Sequence, residues 1–432
     1  MNKTASKPNI SRSLDLLARA ERVIPSCTQT FSKGPNQWVR GVSPHYLVRG
    51  EGAWVWDVDG NKYLDYLMAL GPIILGYGNQ RVDEAVIRQA RQGSVFSQMH
   101  PLEVEVAEML VDLIPCAEMV RFAKNGSDAT TGAVRAARAY TSRDHVAFCG
   151  YHGWHDWYIG TTTRSKGVPS AVSALSHGFT YNDIDSLKRI FAEHAVAAVV
   201  MEPIGVEEPK PGFLQAVREL CTENGAVLIF DEIVTGFRLH IGGAQAQFGV
   251  TPDLACFGKA MANGYPLAAV VGRRDLMMAF DEIFFSGTFA GDALSLAACK
   301  ATIEELEEKA VLAHIHAVGT RLKNGLSDVI GRYGLSEVVR IIGSPVRSVM
   351  TFPGCDEREA LLRRSFVMQE CVKRGLLYFC SHVPCFAHGD DEIRFTLDVF
   401  DEVMPLVAAA FQANDFADRM QGAPVEPIFR RA

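Results

Sequence analysis

No apolar run in this 432-residue chain approaches the length of a bilayer span; the greasiest stretches, such as Ala195 to Met201, are about as long as a strand. No block of like charge stands out, and a net charge of −7 at pH 7 leaves no basic footprint for nucleic acid or anionic lipid. The ten cysteines form no paired framework, and Cys149, Cys221 and Cys256 sit in or beside apolar runs. They read as reduced thiols. The stretch opening at Met1-Asn2-Lys3 has no apolar signal core, so a cytoplasmic location is expected. Internal repeats, low-complexity tracts and flexible linkers are missing too. So is a Gly-x-Gly-x-x-Gly turn after a strand, which disfavours a dinucleotide oxidoreductase.

What remains is ordinary globular composition, 48% hydrophobic and 22% charged, in a chain long enough for two lobes. A first helix is expected over Ser11 to Val23, stopped by Pro25. Ala53 to Asn61 reads as a hairpin, because Asp59-Gly60-Asn61 supplies the positive φ angles of a tight turn. Between about residues 80 and 300, helical stretches alternate with short apolar strands: Met119 to Phe122, His145 to Cys149, Ala197 to Met201, Val227 to Phe230, Leu254 to Phe257 and Leu267 to Val271. That alternation predicts an α/β fold with a mostly parallel sheet covered on both faces. One long helix is expected from Leu294 to about Val329, with Glu304, Glu305, Glu307 and Glu308 on a solvated face. An α+β pattern follows, closed by a helix over Asp390 to Ala413.

Charged and polar residues recur at the carboxyl ends of the strands, where open α/β sheets hold ligands. Asp231 ends the run Ala226 to Phe230, and Lys259 ends Leu254 to Gly258. An Asp that can protonate a pyridine nitrogen and a Lys that can form an imine are the pair that pyridoxal phosphate chemistry requires. Gly126-Ser127 opens a helix after the Met119 strand and suits a phosphate, although a plain N-cap has the same look. Tyr151-His152-Gly153 offers a ring for stacking and a backbone free for close approach; the alternative is a rim aromatic with a solvated histidine. Glu202 ends the Ala197 strand on the same edge. His152 and His155 have i, i+3 spacing without a Glu motif or a Cys pair, so no metal site is expected. Convergence on one sheet edge favours a shared ligand over a set of independent caps.

The motifs Trp56 to Tyr66, Gly71 to Gly76, Asn125 to Ala129, Tyr151-His152-Gly153, Phe230 to Arg238, Thr251 to Leu254 with Gly258-Lys259, and Ser286 to Phe289 occur in one order. In this the chain resembles the class III, fold type I pyridoxal phosphate aminotransferases, in the branch with glutamate-1-semialdehyde 2,1-aminomutase. The resemblance spans about residues 11 to 413. It implies an N-terminal segment (1–65) packing with a small domain, a large cofactor-binding domain (66–300) and a C-terminal small α+β domain (301–432). It also implies that Lys259 forms the Schiff base and moves the proton, and that Asp231 keeps the pyridine nitrogen protonated. Gly126 and Ser127 would bind the phosphate, Tyr151 would stack on the ring, Ile233 would pack on its other face and Glu202 would join the cofactor site. Thr288 would reach the neighbouring subunit's cofactor, so a homodimer is implied.

Lys33 stands where the aminomutases of this branch carry a carboxylate-binding Arg, and a lysine is a point charge rather than a bidentate fork. Lys33, Tyr151 and His152 are the candidate substrate contacts, with Arg238 and Arg347 open as carboxylate binders. Arg394 reads as a helix-surface residue. The polar loop Gln29, Thr30, Ser32 and Lys33 suits a sugar-like or polyhydroxylated acceptor. The expected activity is transfer of an amino group from an amino-acid donor to an aldehyde or ketone through pyridoxamine phosphate. The alternative is an isomerase, a 2,1-aminomutase or an epimerase, using the same lysine.

Overall fold

Val196–Met201, Val227–Asp231, Leu254–Phe257 and Ala268–Gly272 bury every one of their residues, so the sheet they form must be covered on both faces. In a computed structural model, which describes residues 6–428, they belong to a seven-stranded sheet. The Met1–Ala5 part of the polar amino-terminal stretch lies outside the described residues. Across the sheet the strands run Met119–Ala123, Ala268–Gly272, Leu254–Phe257, Val227–Asp231, Val196–Met201, His145–Cys149 and Ser176–Gly178. Ala268–Gly272 is antiparallel to both of its neighbours, and every other pairing is parallel. The carboxyl ends at Cys149, Met201, Asp231 and Phe257 therefore emerge on one edge. Helix Gly126–Thr141 lies against the sheet through a face of small side chains, Ala129, Ala133, Ala136 and Ala137, which lets it approach closely.

The chain divides into two compact units. One comprises Gly71–Ile74 and Gln80–Leu312 and contains this sheet. The other takes in the chain up to Leu70, Leu75–Asn79 and the chain from Ala313. It carries a four-stranded sheet, in which Trp54–Asp57 and Lys62–Asp65 form the expected hairpin, and a three-stranded sheet of Arg340–Ser344, Arg347–Thr351 and Ser381–His382. The hairpin turn is pinned by Asp57 Oδ1, which accepts from the Asp59 and Asn61 N–H groups at 3.0 and 2.8 Å. Helices Ser11–Val23 and Asp390–Ala413 occupy their expected spans. Among the described residues no helix is long and apolar enough to cross a membrane.

Two expectations are corrected. The single helix from Leu294 is two, Ala293–Glu308 and Val311–Arg332, broken where Ala310 turns left-handed at φ 49°. Glu305 is buried rather than solvated, and the Lys309 ammonium reaches it at 2.7 Å. The four-Glu run hides this because the helix is covered on more than one side, and charge pattern alone does not tell which Glu faces inward.

Asp253 fixes the relative position of the two central strands. Its Oδ2 accepts from the Leu228 N–H and from Arg218 Nη1, and its Oδ1 from Arg273 Nη1, all at 2.8 Å. Leu228 lies on the strand that ends in Asp231, and Asp253 leads into the strand before Lys259. One buried carboxylate thus ties both strands at their far end. Asp253→Ala should lower unfolding free energy by about 2 kcal/mol, since it leaves the buried Leu228 N–H and the largely buried Arg218 guanidinium without their carboxylate, while Arg273 keeps Asp275. The guanidinium chloride midpoint measures this, and an unchanged midpoint would refute the role.

Candidate active site

Asp231 closes a strand with no exposed position, so its carboxylate is buried (4% exposed) and depends on protein donors. Oδ1 accepts from the Ile233 N–H at 3.1 Å, and Oδ2 lies 2.8 Å from His152 Nδ1. His152 is buried as well (2% exposed), and its Nε2 is 3.1 Å from the Cys149 carbonyl, so both ring nitrogens face oxygen acceptors. The sequence offered His152 as a substrate contact. Its place is behind the carboxylate.

The preceding residue, Tyr151, is half exposed, and its N–H donates to Glu202 Oε1 at 2.8 Å. Burial, aided by the Asp231 charge, pushes the Tyr151 phenol above its ordinary value. Glu202 therefore supports the backbone of the Tyr-His-Gly segment.

Helix Gly126–Thr141 opens with a capping box: Asn125 Oδ1 accepts from the Asp128 N–H at 3.3 Å and Asp128 Oδ2 from the Asn125 N–H at 3.1 Å. The Gly126 and Ser127 N–H groups are left over, and within the described residues they donate to nothing. Ser127 Oγ accepts from the Trp154 N–H at 3.3 Å. Gly153 has φ 101°, and a Cβ there would fall 2.2 Å from Ser127 Oγ. Ile233 fills the gap between two backbones, since a Cβ on either Gly126 or Gly258 would lie 3.1 Å from its Cδ1.

Lys259 starts a short 3-10 turn after the Leu254–Phe257 strand and has φ 44°, a left-handed conformation that costs a non-glycine residue about 1 kcal/mol or more. Such strain persists only where the surroundings enforce it. Thr288 is exposed, between exposed Phe284 and Phe289.

The second unit holds the remaining candidates. Lys33 is exposed at the end of the turn Phe31–Lys33. Burial raises the Asp65 carboxyl above the usual range, opposed by the Tyr77 hydroxyl, two backbone N–H groups and the Lys33 charge. Arg394 pairs with Asp391 at 2.9 Å on the surface, as expected. In the unit that contains the large sheet, Arg238 is buried and donates to the Gly71 carbonyl at 2.8 Å.

Two neighbours were not foreseen. Thr130 Oγ1 donates to the His152 carbonyl at 2.9 Å, and the Trp154 N–H meets Ser127. Both contacts join segments more than 20 residues apart, and neither follows any spacing a sequence displays.

The sequence profile of the family described as aminotransferase class-III matches residues 38–400. The chain belongs to this family. It is 38% identical over 410 residues to the 3-aminobutyryl-CoA aminotransferase of Cloacimonas acidaminovorans, covering 92% of this chain and 98% of that protein. It is 36% identical over 434 residues to the glutamate-1-semialdehyde 2,1-aminomutase of Alkaliphilus oremlandii, covering 91% and 98%. Among solved structures, the FumI protein of Sphingopyxis sp. MTA144 in its PLP internal aldimine form superposes with TM-score 0.87 at 29% identity, covering 96% of this chain and 99% of that one. An omega-transaminase from Sphaerobacter thermophilus gives 0.85 at 27%, covering 93% and 100%. The fold is therefore that of the fold type I PLP-dependent transaminases, and the family's cofactor is pyridoxal 5′-phosphate.

The residues present fit that cofactor. Two unpaired N–H groups and a hydroxyl at a helix start suit its phosphate, a buried carboxylate suits its ring nitrogen, and an amine suits its aldehyde. Gly153→Ala should crowd Ser127 and weaken cofactor affinity at least about tenfold, roughly 1.4 kcal/mol. Equilibrium dialysis of the folded variant measures this; wild-type affinity would contradict the cradle.

Proposed function

We propose that this aminotransferase moves an amino group from an amino-acid donor to an aldehyde or ketone, with Lys259 as its catalytic residue and a hydroxylated, sugar-like acceptor. One observation carries the assignment of roles: a lysine on a left-handed turn follows the strand adjacent to the one that ends in a buried, doubly held carboxylate. Bound there, pyridoxal phosphate supplies an aldehyde for imine exchange and a ring that accepts an electron pair.

The chain's own groups do the rest. Lys259 Nζ would hold the cofactor covalently and would serve as the group that moves a proton at the reacting carbon. Asp231 would hold a proton at the ring nitrogen and so maintain the demand for electrons. His152 and the Ile233 N–H act as positioning groups that fix the direction of that carboxylate. The Gly126 and Ser127 N–H groups and the Ser127 hydroxyl would hold the phosphate, Tyr151 and Ile233 would lie against the ring, and Glu202 holds the segment that carries Tyr151.

The exposed polar loop Gln29, Thr30 and Lys33 supports a hydroxylated acceptor better than an apolar amine. Exposed Met99, Phe284 and Phe289 support a second copy covering the surface around Thr288, giving a homodimer in which Thr288 reaches the neighbouring site. Sedimentation as a single 47.4 kDa chain would overturn that arrangement. The ten free cysteines support a cytoplasmic setting.

A donor panel tests the reaction. Holoenzyme given amino acids without an acceptor should release one equivalent of oxo acid per site, and hydroxylated aldehydes should then take up the amino group. Rearrangement of one substrate with no oxo acid released would favour the aminomutase reading, which the 36%-identical relative makes the natural rival. Lys259→Ala should lower turnover by on the order of 10⁴ and abolish borohydride-fixable attachment of the cofactor. Retained attachment would refute the lysine's role.

A further inference from the structure

Three histidines gather at the edge of the large sheet opposite Asp231. His145 is the first residue of its strand and pairs in register with Val196. His177 sits on the neighbouring strand in register with Ala147, and residues two apart share a face, so His145 and His177 project from the same side. His194 follows helix Ile184–Glu193, its N–H donating to the Ile190 carbonyl, and stands two residues before Val196. His145 Nδ1 and His177 Nε2 are 2.9 Å apart, and the His194 ring stacks at 4.6 Å on His145 and 3.9 Å on His177. One ring nitrogen from each histidine falls within 4.8 Å of the other two. All three are partly exposed, so solvent ions reach them.

We propose that His145, His177 and His194 form a binding site for a late first-row divalent cation of the zinc class. Imidazole nitrogens without thiolates suit Zn²⁺, Ni²⁺ or Cu²⁺ rather than Mg²⁺ or Ca²⁺. Nitrogens on one tetrahedral zinc stand about 3.3 Å apart for bonds of about 2.0–2.1 Å. The His145–His177 nitrogen spacing of 2.9 Å lies close to that value and the third nitrogen lies within 4.8 Å of both, so modest side-chain rotation closes the site. Glu193 Oε2, 3.9 Å from His194 Nε2, supplies a nearby negative charge and, with water, a source for the fourth ligand.

The strand His145–Cys149 spans about 13 Å at about 3.3 Å per residue, and its far end meets His152. The ion is therefore remote from the cofactor and acts on the fold by tying two neighbouring strands to the end of a helix.

The test uses holoenzyme dialysed against EDTA and titrated with ZnCl₂ by calorimetry. One equivalent per chain with micromolar or tighter affinity is expected, together with a rise in Tm of several degrees at 100-fold excess. His177→Ala and His194→Gln should each weaken binding at least 30-fold and remove the Tm rise while leaving turnover unchanged. If His177→Ala fails to fold, His194→Gln on the helix end reads the same site. Absence of zinc binding, or equal binding in wild type and variant, would overturn the proposal.

Discussion

Asp231 ends a strand with no face toward water, so both of its carboxylate oxygens must find donors inside the protein. That requirement organises the site. One oxygen takes an N–H from two residues further along its own chain, and the other reaches a histidine 79 residues away in sequence. Across the sheet, His152 follows the strand His145–Cys149, the second from that of Asp231, with the Val196–Met201 strand between them. Strands stand about 4.8 Å apart, so the loop carrying His152 must cross the end of the intervening strand. Glu202 caps that strand and accepts the Tyr151 N–H, supporting the loop where it crosses.

The start of helix Gly126–Thr141 and the turn at Lys259 converge on Ile233. Gly126 and Gly258 have no side chain because Ile233 occupies the space on both sides, so one aliphatic group sets how closely two backbones approach. The family relation gives this packing its purpose. Transaminase folds hold one cofactor by its phosphate, its ring nitrogen and its aldehyde at once, and errors in spacing between those three anchors are costly at sub-ångström scale.

Elements with strong local signals were legible in the sequence. The helix Ser11–Val23 shows its periodicity and its stopping proline, the Asp59-Gly60-Asn61 turn shows its φ demand, and the buried strands show as apolar runs with a charge at the end. The motifs brought the α/β fold and the cofactor with them. Features that depend on long-range packing stayed hidden. His152 looked like a solvated or substrate-facing group because its partner lies far along the chain, and Glu305 looked solvated among three other glutamates. The histidines at 145, 177 and 194 are separated by 32 and 17 residues, and only the parallel pairing of the strands that carry or follow them brings them together.

The one reversed strand in the sheet has its own bearing on the lysine. Because Ala268–Gly272 runs against Leu254–Phe257, the chain from Gly258 to Leu267 leaves the sheet and returns to it on the same edge, as the tip of a broad hairpin. Lys259 thus rides on a closed reversal with both stems anchored in buried sheet, not on a crossover that runs away along a covering helix. The lysine proposed as the catalytic group is thereby moored from two sides, and a lengthened connection there would slacken the mooring without touching a single residue of the proposed site.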